Sequence, residues 1–314
     1  MRYIRQEIFQ KMGKENQKKL AKASITIVGI GALGTTVLDM LARAGVGNIR
    51  IIDRDIIELN NLQRQTLFTE EDVNKPKVII AKEKIAKINS EIKIEAHLID
   101  LDYDNIDVLS SDLILDCTDN MYTRFLINEY TRKNNIPWIY ASVIGAKGMT
   151  MNITKDTPCL SCMFQEPTEA LDTCDTAGVL NTTPHALGAI EVTEAIKILT
   201  NQEYHKGLIH YDLWKNQITK ITIKKSKNCK TCNQEYEYLT GKKANSSIKI
   251  CGSCNFQIKT KPINIKELHR KIEASTLTND CLILKDMILF KSGRALIKAV
   301  SKEQAKTMID RYLG

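Results

Sequence analysis

At 314 residues, 43% of them hydrophobic, the chain exceeds one typical domain and carries enough apolar content for a large core. It contains no apolar run of the roughly 20 residues that a membrane span needs, and its charged start, MRYIRQEIFQKMGKENQKK, lacks the apolar stretch of a secretory signal, so a cytoplasmic protein is expected. The net charge of +8 is spread along the chain, which argues against a nucleic-acid surface, and nine cysteines in such a chain argue for metal or reactive thiols over disulfides.

Residues 2–20 read as a helical arm carrying Arg2 and Arg5. A β-branched run, Ile25 to Val28, then stops abruptly at Gly29-x-Gly31-x-x-Gly34. An amphipathic stretch with Leu33, Val37, Leu41 and Ala44 on one face follows, and a second buried run, Ile49 to Ile52, delivers Asp53. Strand, glycine turn, helix, strand and acid make the opening βαβ unit of a nucleotide-binding sheet. The glycines let the backbone approach phosphate, the free N–H groups of the helix attract it, and Asp53 is placed to accept hydrogen bonds from ribose hydroxyls.

A long polar turn, ELNNLQRQTLFTEEDVN, comes next, and Asn74 is the expected cap of a helix beginning at Pro76, with Val78, Ala81, Ile85 and Ile88 at helical spacing. Strands are expected at 92–99 and 112–117, the second running into Thr118-Asp119-Asn120. A helix over 121–134 and a return strand at IPWIYAS complete an alternation that predicts an α/β fold, Rossmann-like, with a mostly parallel sheet and helices on both faces.

Beyond residue 142 the texture changes. VIGAKGMTMNIT reads as a strand pair, 184–199 as a helix, and GLIHYDL and QITKITIKK as antiparallel strands leading to NCKTC. The expected division is a nucleotide-binding unit over 1–239, a linker over 240–261 and a small α+β extension over 262–314, built as helix, three short strands and a last helix. Cys159-x-x-Cys162 and Cys229-x-x-Cys232 each have the spacing that lets two sulfurs reach one ion, and together they predict a closed tetrahedral Zn²⁺ site of structural role that staples the antiparallel extension. Cys251-x-x-Cys254 has no second pair and reads as packing, as do Cys117, at a strand end, and His185, at a helix start; Cys281 is assigned no role.

Asn61, Arg64, Gln65 and Lys77 gather polar and cationic groups outside the carboxyl ends of the strands, the side where open α/β sheets bind ligands. A dehydrogenase needs no cationic pair beside its glycine loop, whereas a site that neutralises a triphosphate does. Asp119, at another strand end, could hold Mg²⁺ on those phosphates.

The run RYIRQ…GIGALGTTVLDMLARAGVGNIRIIDRDIIELNNLQRQTLFTEEDVNKPK, followed by DCTDN, PCLSC, TCDTAGVL and NCKTC, resembles the ThiF/MoeB/HesA family, prokaryotic relatives of ubiquitin-activating E1 enzymes. The resemblance spans residues 2–233 and implies adenylation. A small β-grasp, ubiquitin-like sulfur-carrier protein offers its C-terminal Gly-Gly carboxylate to the α-phosphate of ATP, giving an acyl-adenylate and pyrophosphate. The nucleophile is already ionised, so no general base is required, and no histidine lies in the nucleotide motifs.

Carried over residue by residue, Gly29, Gly31, Gly34 and Asp53 hold the nucleotide, and Asn61, Arg64, Gln65 and Lys77 surround its phosphates. Asp119 serves Mg²⁺ beside Asn120, with Asp55 a further metal candidate, and Arg5 reaches in from the other subunit of a homodimer. Cys174 stands at the position of the family's crossover cysteine, a candidate covalent site for the carrier, although Asp172 and Asp175 beside it disfavour a thiolate. No rhodanese-like segment follows, so an external sulfur donor is expected. Adenylation of a small molecule or peptide is the main rival reading; a NAD-dependent oxidoreductase and a zinc-containing nucleic-acid-binding protein stand further off. The pathway served, whether thiamine, molybdopterin or tRNA thiolation, is left open.

Overall fold

A computed structural model describes residues 2–164, 177–243, 255–272, 274–277 and 281–313. Its contacts divide the chain after Ala244 into two units. The larger is built on an eight-stranded sheet of β1 (Ser24–Val28), β2 (Asn48–Ile52), β3 (Lys93–His97), β4 (Leu113–Asp116), β5 (Trp138–Ile144), β6 (Lys147–Ile153), β7 (Leu208–Asp212) and β8 (Gln217–Ile221). The spatial order is β3-β2-β1-β4-β5-β6-β7-β8. Strands β3 to β5 in that order pair in parallel, and from β5 onward the pairing is antiparallel.

Burial explains the parallel half. Strands β1 and β4 lie at its centre and are buried on both faces because helices cover both. One face, with Ile25, Ile27 and Leu115, packs under α3 (Ala32–Ala44), α4 (Lys77–Ile88) and the helix Thr182–Leu199. The other, with Val28, Ile114, Trp138 and Tyr140, packs under α5 (Met121–Asn134). Helix α3 and the 182–199 helix approach closely at Gly188, where an added Cβ would come within 2.9 Å of Thr36. Strand β1 has β2 on one side and β4 on the other, so the connections leaving β1 and β4 diverge and open a crevice at their carboxyl ends.

Local details differ from the sequence expectations for physical reasons. The N-terminal arm breaks into α1 (Ile4–Ile8) and α2 (Gly13–Lys22), with Gly13 at φ +58° at the joint. Asn74 is not a cap: it adopts the left-handed conformation at φ +68°, and Pro76 itself occupies the N-cap of α4. The polar turn after β2 holds two short 3₁₀ turns, Leu59–Asn61 and Glu70–Asp72, each closed by a reciprocal side-chain box. No helix among the described residues is long and apolar enough to cross a membrane.

The smaller unit is a five-stranded antiparallel sheet in the order Thr276–Leu277, Cys281–Leu284, Met287–Phe290, Arg294–Lys298, Asn255–Lys259. Alternate residues Leu282, Leu284, Met287, Leu289, Ala295 and Ile297 form one buried face with the helices Ile265–Lys271 and Lys302–Leu313. Four strands follow the first helix where three were expected, and a fifth, Asn255–Lys259, lies within the stretch 240–261 read from the sequence as linker.

Candidate active site

The glycine loop is shaped by backbone packing. Gly29 has φ +91°, donates its N–H to the Ile52 carbonyl at 2.8 Å, and an added Cβ would meet the Cys117 carbonyl at 2.6 Å. At Gly34 an added Cβ would lie 1.9 Å from the Gly29 carbonyl oxygen, so helix and strand touch there. Gly31 is different: the nearest atom to its added Cβ is Gln65 Nε2 at 4.0 Å, which leaves it open toward the crevice. Asp53 is held by two N–H groups, from Ile30 at 2.6 Å and from Asp55 at 2.7 Å. Burial pushes its pKa up, against the opposing pull of Lys77.

Around this loop the structure gathers a charged network. Lys77, 7% exposed, lies with Nζ 3.6 Å from Asp55 Oδ2. Burial alone would discharge the ammonium, but Asp53, Asp55, Asp119 and Glu58 together raise its pKa and keep it protonated. Arg54, which sequence reasoning passed over although it stands between Asp53 and Asp55, pairs with Asp100 at 2.8 Å and lies 3.7 Å from Asp55. Asp119 is exposed at the tip of the turn after β4 and acts electrostatically on both Lys77 and Arg54. Gln65 is 3% exposed, and its Oε1 finds no hydrogen-bond partner among the described residues, an acceptor left over beneath the open face of Gly31.

Other sequence candidates are placed differently. Asn61 is buried, but its amide serves the local turn, accepting from Glu58 N–H at 3.2 Å and donating to Asn60 Oδ1 at 2.6 Å. Arg64 is half-buried and donates to the Asn60 carbonyl at 2.9 Å. Asn120 caps α5, accepting from Thr123 N–H at 2.8 Å. Arg5 is exposed on α1, whose arm packs at the far end of α3 through Tyr3 beside Gly45 and through Gln6 donating to the Ala44 carbonyl at 2.9 Å. Thirteen helical residues separate that end from the glycine loop, about 20 Å at 1.5 Å per residue, so one subunit does not bring its own Arg5 to the crevice. Cys174, Asp172 and Asp175 lie outside the described residues, as do Cys251 and Cys254.

Two buried groups near the site escaped the sequence reading. Asp116 Oδ1 accepts from the Thr118 N–H at 3.0 Å and hydroxyl at 2.6 Å, and its Oδ2 accepts from Arg124 Nε at 3.1 Å. The other is Glu191 on the 182–199 helix, fully buried with neither carboxylate oxygen hydrogen-bonded among the described residues; burial, with a smaller push from Asp116, carries its pKa well up. The available signal was a charged residue on the apolar stripe of an otherwise buried helix: Arg124 beside Ile127, and Glu191 beside Leu187 and Ala195.

The cysteine pairs converge. Cys159 is the N-cap of the short helix Leu160–Met163 and Cys162 lies within it, while Cys229 precedes the 3₁₀ turn Thr231–Asn233 that contains Cys232. The sulfurs of Cys159 lie 3.5 Å from those of Cys229 and Cys232, with Cys162–Cys232 at 3.6 Å and Cys159–Cys162 at 3.9 Å. Four thiolates about 2.3 Å from a tetrahedral Zn²⁺ are separated by about 3.8 Å, so the donor set fits that ion. Helix α5 fastens both loops. Asn128 accepts from Leu160 N–H at 2.9 Å and donates to Ser161 Oγ at 3.0 Å. The Glu129 carboxylate accepts from the N–H groups of Glu237, Tyr238 and Leu239 at 2.8 to 3.0 Å.

Comparison with known proteins matches residues 3–232 to the ThiF family. Over its whole length the chain is 35% identical to the sulfur carrier protein ThiS adenylyltransferase of Bacillus subtilis (strain 168), covering 99% of that relative. A sulfur carrier protein adenylyltransferase of Thermus thermophilus is 32% identical over 74% of this chain and 91% of its own. Among solved structures, Escherichia coli MccB with ATP superposes with a TM-score of 0.63 and 25% identity over 69% of this chain and 68% of that one. MccB bound to MccA-N7isoASN, at 24% identity and a TM-score of 0.67 over 74% of this chain and 75% of that one, shares the fold.

Proposed function

Because the chain belongs to the ThiF family, we propose that it is an adenylyltransferase that uses ATP to activate the C-terminal carboxylate of a small sulfur-carrier protein. The observation that carries the reading is Lys77, buried yet held charged by Asp53, Asp55 and Asp119 at the strand ends beside the glycine loop. Such a cation has no structural use for its charge beyond these acids, and a triphosphate laid across the crevice would share it.

In this reading the nucleotide lies over the carboxyl ends of β1 and β4. Asp53 accepts from the ribose, and the backbone N–H groups around Gly31 face the phosphates with the N-terminus of α3 behind them. Lys77 and Arg64, with Arg5 of the partner subunit in a homodimer, oppose the negative charge that develops on the α-phosphate and on departing pyrophosphate. Asp119, with Asp55 nearby, would hold Mg²⁺, which neutralises phosphate charge and favours pyrophosphate departure. Asn61 and Asn120 act by fixing the turns that carry these groups. The carrier's Gly-Gly carboxylate is ionised at neutral pH, so the chain supplies positioning and charge rather than a base. Cys159, Cys162, Cys229 and Cys232 would hold Zn²⁺ as a folding element. Sulfur comes from an external donor, and Cys174 is the candidate to link the carrier covalently after adenylation.

The test is ATP–pyrophosphate exchange with purified ThiS of Bacillus subtilis. Exchange should require the intact carrier and vanish when its terminal Gly-Gly is deleted; exchange insensitive to that deletion would overturn the reading. A second reading, adenylation of a peptide, draws support from the 25% identity to Escherichia coli MccB with AMPCPP and MccA. It predicts exchange with a free peptide in place of the folded carrier.

A further inference from the structure

The Asp116–Arg124 pair lies directly beneath the turn that presents Asp119. Asp116 is fully buried and Arg124 is 7% exposed. One oxygen of Asp116 accepts from both the N–H and the hydroxyl of Thr118, and the other accepts from Arg124 Nε at 3.1 Å. Arg124 Nη2 donates to the carbonyls of Thr118 and, at 3.1 Å, Ala141, and its guanidinium lies 5.2 Å from the centre of the Tyr140 ring. Arg124 therefore ties the end of β4, the carbonyl of the residue preceding Asp119 and β5 into a single unit, while Asp116 holds that residue's N–H and hydroxyl. Such a pair offers no clear gain in stability over apolar packing of the same volume, so its use has to be sought elsewhere.

We infer that Arg124 and Asp116 are positioning residues that hold Asp119 in the orientation needed to bind a divalent cation on the bound nucleotide. This rests on the ATP-binding reading above and adds the device that fixes the metal ligand. A lysine at 124 keeps the charge and loses the fork that bonds the Asp116 carboxylate and two carbonyls at once. The turn would then keep its place in the fold while Asp119 loses its fixed aim.

The experiment measures two affinities for wild type, Arg124→Lys, Asp116→Asn, Asp119→Asn and the Arg124→Lys/Asp119→Asn double variant. They are the affinity for ATP without metal, by calorimetry, and that for Mn²⁺ on the ATP complex, by electron paramagnetic resonance. Arg124→Lys and Asp116→Asn should leave metal-free ATP affinity within about twofold and weaken Mn²⁺ by roughly tenfold or more, the size expected when the partner of a metal ligand is removed. The double variant should be no weaker than Asp119→Asn alone, because both changes act through one carboxylate. Unchanged Mn²⁺ affinity in Arg124→Lys, or an equal loss of ATP and Mn²⁺ affinity, would overturn the positioning role while wild-type ATP binding still stands. Failure of the wild type to bind ATP would overturn the functional reading and the inference together.

Discussion

Glu191 and Lys77 are both ionisable and buried, and their surroundings treat them oppositely. Lys77 has carboxylates around it and stays charged, whereas Glu191 meets no cation and no hydrogen-bond donor among the described residues and is pushed toward its neutral form. The folded chain therefore keeps a proton on Glu191 that the unfolded chain releases above a pH near 4.5. Stability tied to this group is undiminished below that pH and falls as pH rises toward the folded pKa, by about 1.4 kcal/mol per unit. Glu191→Gln should match wild type in urea melts near pH 4.5 and be progressively more stable at higher pH; a difference flat across pH would refute this. Lys77→Ala, Arg64→Ala and Asp119→Ala should each lower carrier-dependent pyrophosphate exchange by two to three decades, the ~3–4 kcal/mol of a lost preorganised charge contact. Near wild-type exchange in all three, with unchanged circular dichroism, would remove them from the site.

Helix α5 links two regions far apart in the sequence. Its first turn carries Asn120 and Arg124 beside β4, and Asn128 and Glu129 lie one turn on, against the cysteine loops. Thiolates brought within 4.8 Å of one another repel unless a cation or protons intervene, so Zn²⁺ binding and folding of these loops should be one event. Protein purified without chelator should contain one zinc per chain, and Cys229→Ser should lower the thermal midpoint before it alters ATP affinity. A metal-free preparation with an undiminished midpoint would rule out the zinc role.

At the scale of the whole molecule, the arm bearing Arg5 sits at the opposite end of α3 from the glycine loop of its own chain. An Arg5 that acts in catalysis must therefore come from a second copy. Arg5→Ala and Lys77→Ala should each be inactive alone, and mixing them should restore exchange in the heterodimer, where one crevice receives both intact residues. Mixtures that stay inactive while forming heterodimers would exclude the in-trans role.

Much of this was legible from the residues in order. The glycine spacing, the β-branched runs and the acid after the second strand specify a βαβ unit because each is a local requirement of backbone geometry or of burial. The two Cys-x-x-Cys spacings likewise anticipate the convergence of four sulfurs that the fold brings within 4.8 Å of one another. The sequence also marked Asp53, Lys77 and Asp119 and expected them around one nucleotide, without the contacts among them. Their joining into one network depends on β2 and β4 flanking β1, a long-range pairing that no local pattern encodes. The same holds for Arg124 and Glu191. From the sequence each is a charge on a helix, and the tertiary structure decides that one meets a buried aspartate and two carbonyls while the other meets apolar surface. Local steric and burial rules thus determined the elements and the class of ligand; the environment of each charge, and with it which charge is held, paired or neutralised, came only with the packing of elements distant in the chain.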